Sequence, residues 1–210
     1  MSSDGKEINI KIILIGDSSV GKTTLLYRYI DNEIPDDIGQ TLTLDNKVKT
    51  IDIKGLKTKI QIWDTAGQEK FNSLTKQLFR NTDGIIILFD LTNKKTFHSI
   101  KNWIEDVKNN SDHKIKKLIL GNKCDKKDSI KVTNDDINNL LQKKKLKYME
   151  VSALDGTNVE KAFDLLIRSI IGDRTNEQLL EDFGINEQFV SLSGSTFNNI
   201  NQETKKKCCK

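Results

Sequence analysis

A glycine-rich string near the start of the chain has the residue types needed to hold phosphate groups. It reads Gly16-Asp17-Ser18-Ser19-Val20-Gly21-Lys22-Thr23, and Thr24 follows. Glycines let a backbone curl so that its N–H groups point inward, a lysine reaches the outer phosphates of a nucleotide, and a hydroxyl binds Mg²⁺. Because this string stands between a predicted strand and a predicted helix, it predicts a phosphate-binding loop.

A second string, Asp64-Thr65-Ala66-Gly67-Gln68, follows another apolar segment. A carboxylate at the end of a buried strand lies at the edge of the sheet where α/β proteins bind ligands, and it can hold a metal there. Gly67 can offer an unobstructed N–H to a terminal phosphate, and Gln68 can orient a hydrolytic water. In isolation the string is equally typical of an ordinary turn, and its position after the phosphate loop favours the chemical roles.

A third string, Asn122-Lys123-Cys124-Asp125, predicts a contact with a guanine base. Asp125 can accept hydrogen bonds from N1–H and the exocyclic amine of guanine, a pair of donors that adenine lacks. Lys123 can lay its aliphatic stem along the base, and Asn122 can tie this segment to the phosphate loop. Cys124 is expected to pack. Charged turns of this kind are common on protein surfaces, so the string gains its meaning from the other two.

The elements that must position these strings follow from the spacing of apolar residues. The run Ile8–Ile15 is a strand that stops at Gly16, and a helix follows over 22–29. Segments 48–53 and 58–63 alternate apolar and polar residues around Lys54-Gly55, which predicts a hairpin. Strands at 84–89, 117–120 and 148–151 then alternate with helices at 96–107, 133–142 and 158–171. We expect an α/β fold with a six-stranded, mostly parallel sheet and helices on both faces.

The boundaries and the charge distribution indicate one domain with a basic tail. Residues 1–7 are a short extension, 8–172 form the domain with a capping box at Thr157–Glu160 and a stop at Gly172, and 173–210 are expected to be a flexible tail. The net charge of +4 comes from the lysines at 205–207 and 210, so the neutral remainder argues against a nucleic-acid-binding body. No run of 18 apolar residues and no signal-peptide pattern occurs, which favours the cytosol or its membrane faces.

Together with Glu150-Val-Ser152-Ala153, these strings resemble those of the Ras-like small GTPases, and the Rab family of vesicle-trafficking GTPases in particular. The Rab-like features are the segment from Lys59 to Phe71, the string Leu88-Phe-Asp-Leu-Thr92 and a terminal Cys-Cys-x. The resemblance covers about residues 8–172. It implies the P-loop small GTPase fold, binding of GTP and GDP with Mg²⁺, and a slow hydrolysis of GTP that switches the protein between two states.

The same resemblance assigns roles to individual residues. It implies that Thr41 closes over the metal and the γ-phosphate, although an alignment anchored on Ile38-Gly39 would put Asp37 there instead. Gln68 is the implied catalytic residue. The implied metal ligands are Thr23, Thr41 and Asp64. The implied nucleotide-binding residues are Gly16, Asp17, Ser18, Ser19, Val20, Gly21, Lys22, Thr23, Thr24, Thr41, Gly67, Asn122, Lys123, Asp125, Ser152, Ala153 and Leu154.

The chain departs from the family pattern at a few positions. Ser19 replaces a loop glycine, and a small hydroxyl is tolerated there if φ remains negative. Leu154 replaces a lysine, but guanine O6 is contacted there by a backbone N–H that any residue supplies. Thr43 and Asn46 replace a glycine and a phenylalanine, so the exposed aromatic cluster for partners is expected to survive only in Trp63 with Phe79 or Leu78.

The tail pair Cys208 and Cys209 resembles a double prenylation site beside lysines that favour an anionic membrane. The alternative is a solvated lysine tail with incidental cysteines. The resemblance also implies effector, exchange-factor and GTPase-activating partners, prenylation and GDP-dissociation-inhibitor machinery, and the cytoplasmic face of an intracellular membrane with a cytosolic pool. No nucleic-acid partner is expected.

Two other functions remain open at the level of the sequence. A P-loop kinase of small molecules would need an arginine-rich lid and an acceptor pocket, and the chain has few arginines and no candidate lid. A scaffold that holds guanine nucleotide without hydrolysing it is opposed by the presence of Gln68, and a measurement of phosphate release would decide between the two.

Overall fold

A computed structural model describes residues 7–37, 44–65, 79–111, 114–144, 146–172 and 174–183. Seven residues that the sequence analysis singled out lie outside these ranges: Thr41, Thr43, Gly67, Gln68, Leu78, Cys208 and Cys209. No helix of the described ranges combines the length and apolar character needed to cross a bilayer.

Six strands form one sheet in the order β2-β3-β1-β4-β5-β6. The β2–β3 pair is antiparallel, and the other four neighbouring pairs are parallel. This arrangement confirms the predicted hairpin and the mostly parallel sheet. The strands are β1 (Ile8–Ile15), β2 (Asp45–Ile53), β3 (Leu56–Asp64), β4 (Gly84–Asp90), β5 (Lys116–Asn122) and β6 (Lys147–Glu150).

Five α-helices of the described ranges flank the sheet on both faces. They are α1 (Lys22–Asp31), α2 (Lys94–Asn110), α3 (Asn134–Lys144), α4 (Val159–Ile171) and α5 (Asn176–Phe183). One apolar cluster joins the sheet to α1, α4 and α5, and a second joins it to α2 and α3. Strand β1 alternates between the clusters, with Ile12 and Leu14 in the first and Ile13 and Ile15 in the second. This two-sided burial explains why the sequence of β1 is almost continuously apolar.

Helix α5 differs from the sequence prediction of a flexible segment from residue 173. The backbone N–H of Thr175 donates to Gln178 Oε1 at 2.9 Å, and the N–H of Gln178 donates to Thr175 Oγ1 at 3.3 Å. This reciprocal pair is a capping box, a signal readable in the sequence Thr175-Asn-Glu-Gln178. Leu179 is fully buried in the first apolar cluster. The cap and the packing of Leu179 therefore help to extend the folded part to Phe183.

The capping box predicted at Thr157–Glu160 is wrong, and another helix start has one. At α4 the cap residue is Asn158, which makes no side-chain cap bond, and the Thr157 N–H donates to Asp155 Oδ1 at 2.8 Å. A local turn therefore uses the groups that a box would need. At α3, Thr133 and Asp136 exchange backbone-to-side-chain bonds of 3.1 and 3.2 Å, as a box requires.

Candidate nucleotide site

The phosphate loop connects β1 to α1 and depends on two glycines. Gly16 has φ 144° and Gly21 has φ 96°, backbone angles that residues with a side chain rarely adopt. A Cβ on Gly16 would lie 2.2 Å from the backbone oxygen of Leu88, and one on Gly21 would lie 2.4 Å from Asn122 Nδ2. The loop therefore packs so closely against β4 and β5 that both positions require glycine.

Ser19 does not meet the condition of a negative φ under which the sequence analysis considered a serine tolerable, because its φ is 62°. The left-handed conformation costs a residue with a Cβ on the order of 1 kcal/mol. Ser18 and Ser19 are exposed at the tip of the loop, while Val20 is fully buried and anchors it. The serine thus holds a backbone conformation that a glycine would adopt more easily.

Lys22 is the first residue of α1 and is almost completely buried. Its ammonium group donates to the backbone oxygens of Gly16 at 2.9 Å and Asp17 at 2.8 Å. Burial lowers the pKa of Lys22 to about 8, although the charges of Asp64 and Asp17 oppose this shift. The first turn of α1 contains no acidic residue and no side-chain cap bond. A buried cation beside an uncapped helix N-terminus is an arrangement that suits an anion such as a phosphate.

Asp64 and Thr23 meet where β3 ends beside the loop. Thr23 Oγ1 donates to Asp64 Oδ2 at 2.5 Å, while the buried Asp64 Oδ1 has no hydrogen-bond partner. Burial raises the pKa of Asp64, and the Thr23 hydroxyl and the Lys22 charge oppose the rise. A buried carboxylate oxygen without a partner is costly unless a cation binds it. A hydroxyl and a carboxylate are also the oxygen ligands that Mg²⁺ prefers, so the residues present fit that ion.

A cavity of about 150 Å³ lies between the phosphate loop and the ends of β5 and β6. Asp125 Oδ1 is buried there without a hydrogen-bond partner. It belongs to the carboxylate that the sequence analysis predicts to accept hydrogen bonds from guanine, so the cavity and its unsatisfied group agree with a base-binding role. The lining residues are Gly21, Thr24, Asn122, Lys123, Asp125, Lys126, Ala153 and Leu154.

Asn122 ties its own segment to the phosphate loop, as predicted, and also to the segment at Ala153, which was not predicted. Its Nδ2 donates to the backbone oxygen of Val20 at 2.8 Å, and its Oδ1 accepts the N–H of Ala153 at 2.9 Å. Ser152 is fully buried behind this contact, whereas Leu154 is exposed at the cavity. One buried amide therefore aligns the phosphate loop with the two loops that border the cavity.

Two residues that support this cavity had no role in the sequence prediction. Asp90, at the end of β4, forms an ion pair with Lys123, with 2.7 Å between Asp90 Oδ2 and Lys123 Nζ. The same Nζ donates a hydrogen bond to the backbone oxygen of Ser19 at 3.1 Å. Arg28 of α1 donates to the backbone oxygen of Ala153 at 3.2 Å and to that of Leu154. Asp90 could have been found, because it ends an apolar strand as Asp64 does. Arg28 lies within a helix and carries no such signal.

The expected aromatic contact for partners is only partly present in the described residues. Trp63 is half-buried and pairs across the hairpin with the exposed Asn46. Phe79 is 2% exposed and belongs to the second apolar cluster. The prediction that Phe79 could stand on the surface with Trp63 is therefore wrong, because its ring fills the core beneath β1 and β4.

The structure thus brings the predicted residues of four segments to the carboxyl edge of the sheet. These segments are 16–24, Asp64, 122–125 and 152–154. The roles predicted for Thr41, Gly67 and Gln68 concern positions outside the described residues and stay predictions.

Comparisons with known proteins agree with this geometry. The model of the Ras family matches residues 11–172. The chain is 42% identical to Ras-related protein Rab-8B of Homo sapiens, over 77% of this chain and 78% of that protein. It is 38% identical to GTP-binding protein YPT1 of Saccharomyces cerevisiae, over 90% and 93% of the two chains. It is 37% identical to Ras-related protein RABA5c of Arabidopsis thaliana, over 100% and 99%.

Proposed function

We propose that this chain, which belongs to the Ras family, works as a switch in intracellular vesicle trafficking. The premise is that the chain is a Rab-type small GTPase and hydrolyses GTP. The observation that carries the proposal is a pair of buried, unpartnered carboxylate oxygens on Asp64 and Asp125. Asp64 ends strand β3, and Asp125 follows strand β5. Strands β1 and β4 lie between these two strands in the sheet, so β3 and β5 are about 14 Å apart. A nucleoside triphosphate can bridge that span, with its phosphates at Asp64 and its base at Asp125.

The residues of the site divide the work of binding. Lys22 and the backbone N–H groups of the loop bind the outer phosphates, while Asp125 and the segment 152–154 select guanine. Thr23, Thr41 and Asp64 would hold Mg²⁺, which when bound neutralises charge on the phosphate oxygens. Gln68 orients the attacking water. Loss of the γ-phosphate releases Thr41 and Gly67, and partner proteins distinguish the two states by the segments around them.

The proposed site of action is the cytoplasmic face of an intracellular membrane. Cys208 and Cys209 would carry two lipid chains, with the lysines 205–207 beside an anionic surface. Support for this proposal comes from the sequence pattern and from the Rab-type relatives. The associated partners are effectors, exchange factors, GTPase-activating proteins, GDP-dissociation inhibitor and the prenylation machinery.

The guanine assignment is tested by Asp125→Asn. An amide presents a donor where the carboxylate presented an acceptor, so we expect the variant to lose affinity for GTP and to gain affinity for xanthosine triphosphate. Asp128→Asn is the matched control, because Asp128 is exposed on the neighbouring turn. An unchanged preference for GTP in the Asp125 variant would refute the assignment.

The hydrolytic role is tested by Gln68→Leu. We expect GTP affinity to be retained and single-turnover phosphate release to fall by a factor of about 100, because a leucine cannot orient water. Wild-type protein that binds GTP and releases no phosphate would instead be the nucleotide-holding scaffold. Equal phosphate release by wild type and variant would remove Gln68 from the mechanism.

Membrane anchoring is tested by replacing both Cys208 and Cys209 with serine in a tagged protein. We expect the wild type to concentrate on one internal membrane and the double variant to spread through the cytosol, because neither lipid can be attached. Cys124→Ser is the control, since Cys124 packs beside the second apolar cluster. The same distribution for wild type and the double variant would refute the anchor.

A further inference from the structure

The phosphate loop contains a carboxylate whose place is set by a residue far away in the chain. Asp17 is the second residue of the loop, and its Oδ1 accepts a hydrogen bond of 2.8 Å from the indole Nε1 of Trp103. Trp103 stands in the third turn of α2, 86 positions later in the sequence. Both side chains are half-buried. The bond therefore joins the phosphate-binding loop to a helix that supplies no other part of the described site.

A carboxylate at this position works against the purpose of the loop. The backbone oxygen of Asp17 accepts a hydrogen bond of 2.8 Å from the Lys22 ammonium group. Asp17 therefore lies beside the cation that is proposed to bind the phosphates. A side chain that swung from α2 toward the phosphates would put like charges together in a partly desolvated site, which is unfavourable.

Trp103 is well suited to prevent that movement. The indole N–H is a donor only, so it pairs with an acceptor such as a carboxylate. The ring packs against the second apolar cluster, and the buried Ile100 and Val107 lie one helical turn before and after it. The donor is thus held on a rigid ring, and a hydrogen bond to a charged acceptor is stronger than one between neutral groups.

We propose that Trp103 is a positioning residue for the phosphate loop: its indole N–H holds the Asp17 carboxylate against α2 and away from the terminal phosphate of a bound nucleotide. This inference rests on the proposed function. A nucleoside triphosphate brings its extra negative charge to the end of the phosphate chain. A released Asp17 carboxylate therefore opposes GTP more than GDP, and Trp103 favours the triphosphate form.

The hydrogen bond itself is tested by the indole signals of the full-length protein. The chain contains two tryptophans, so two indole N–H resonances are expected in a proton–nitrogen correlation spectrum. Trp103→Phe removes and thereby assigns one of them. Asp17→Ala is expected to shift that resonance and to leave the Trp63 resonance in place, because only one indole loses its acceptor. An unmoved Trp103 resonance would overturn the inference whatever the nucleotide data show.

The consequence for binding is tested by a double-mutant cycle with Trp103→Phe, Asp17→Ala and the combined variant. We expect Trp103→Phe to weaken GTP binding about 10-fold and GDP binding less, since the lost bond is charge-assisted. Adding Asp17→Ala is expected to restore the wild-type ratio of GTP affinity to GDP affinity, because the charge that opposes the triphosphate is then gone. A merely structural role of the ring would weaken both nucleotides equally and would not be rescued, and that result overturns the inference.

The outcomes also separate this inference from the proposed function. Wild-type protein that binds neither GTP nor GDP would refute the proposed function and the positioning role with it. Wild-type protein that binds GTP, together with a Trp103→Phe variant that shows equal losses for GTP and GDP, would refute the positioning role alone. Rescue by Asp17→Ala supports both.

Discussion

At the carboxyl edge of the sheet, three buried side-chain polar atoms lack hydrogen-bond partners, whereas around α5 at the opposite end the described residues contain none. The three atoms are Trp63 Nε1, Asp64 Oδ1 and Asp125 Oδ1. Buried polar groups without partners are rare in folded proteins because each costs about 1–3 kcal/mol. Two of the three, Asp64 Oδ1 and Asp125 Oδ1, lie at the predicted metal and base positions, which indicates that this end is built to bind a ligand.

At the opposite end, away from the nucleotide site, the polar groups around α5 are paired with one another by hydrogen bonds and an ion pair. Arg174 donates to the last-turn oxygens Ile170 O and Ile171 O of α4 at 2.7 and 2.9 Å, and it pairs with Asp182 at 2.6 Å. Lys54, in the β2–β3 turn, donates to the Arg174 oxygen at 2.7 Å. These bonds join α4, α5 and the hairpin through backbone oxygens that would otherwise end unpaired.

Two glycines with positive φ contrast the two ends most sharply. Gly16→Ala should cost at least about 4 kcal/mol of unfolding free energy and abolish nucleotide binding, because its Cβ would meet the Leu88 oxygen at 2.2 Å in a strained backbone. Gly55→Ala is the control: its φ is 80°, but no atom lies within 4 Å of the added Cβ, so about 1 kcal/mol is expected. Chemical denaturation and nucleotide titration measure both. Similar losses for the two variants would show that backbone strain, not close packing, governs the loop.

Leu179→Ala tests whether α5 contributes stability without contributing to the site. Leu179 is fully buried, so its truncation should lower the unfolding free energy by about 3 kcal/mol while the folded protein keeps its GTP affinity. Leu180→Ala removes the same atoms from a half-buried position and should cost less. A loss of GTP affinity in the folded Leu179 variant would mean that the two ends of the molecule are coupled.

The same contrast explains what the sequence could predict. The strands, the helices α1 to α4 and the strings 16–24 and 122–125 were predictable, because apolar periodicity and phosphate-loop chemistry are local patterns. Strand β1 matches its predicted bounds at both ends. Helix α5 was also readable in principle from Thr175 and Gln178, but its eight residues carry only one fully buried leucine, a weak periodic signal.

What could not be predicted depends on contacts between distant segments. Ser19 adopts a positive φ within a loop whose glycines pack closely on β4 and β5, and no neighbouring residue in the sequence signals this conformation. The partners of Arg28 in the 153–154 loop, and of Trp103 in the phosphate loop, are set by tertiary placement alone. Phe79 was misplaced for the same reason, since its burial is decided by β1 and β4 and not by its own surroundings in sequence.

Ser19→Gly should show that the site end stores strain. Glycine adopts φ 62° without the steric strain that a Cβ causes, but it loses more conformational entropy on folding than serine does. The net expectation is a gain of about 0.5 kcal/mol in unfolding free energy. Ser18→Gly is the matched control, because the neighbouring serine is equally exposed and has no positive φ. It should destabilise slightly. Denaturation of both variants measures the difference, and a gain in both would attribute the effect to composition instead of conformation.

Asp83→Asn probes a polar group at the opposite end that is paired and still unfavourable. Asp83 Oδ2 accepts the Lys11 N–H at 2.8 Å, and an asparagine oxygen can keep that bond. Burial raises the pKa of Asp83, although the Lys11 N–H opposes the rise. From pH 3.8 up to the raised pKa the folded protein binds more protons than the unfolded chain, so the stability contributed by this group declines as the pH increases.

Of the four predicted changes in unfolding free energy, the change for Asp83→Asn is the smallest, and its sign is fixed by the raised pKa. Asp83→Asn should be more stable than the wild type near pH 7, and the difference should shrink as the pH falls and disappear below 3.8, where the carboxyl is neutral in both the folded and the unfolded wild type. Denaturant unfolding at a series of pH values and one fixed nucleotide concentration measures it. Asp155→Asn, near the nucleotide site, should behave oppositely, since hydrogen bonds from Thr157 lower the pKa of Asp155 and its contribution is lost on acidification. A pH-independent difference for Asp83→Asn would mean that burial does not penalise this charge.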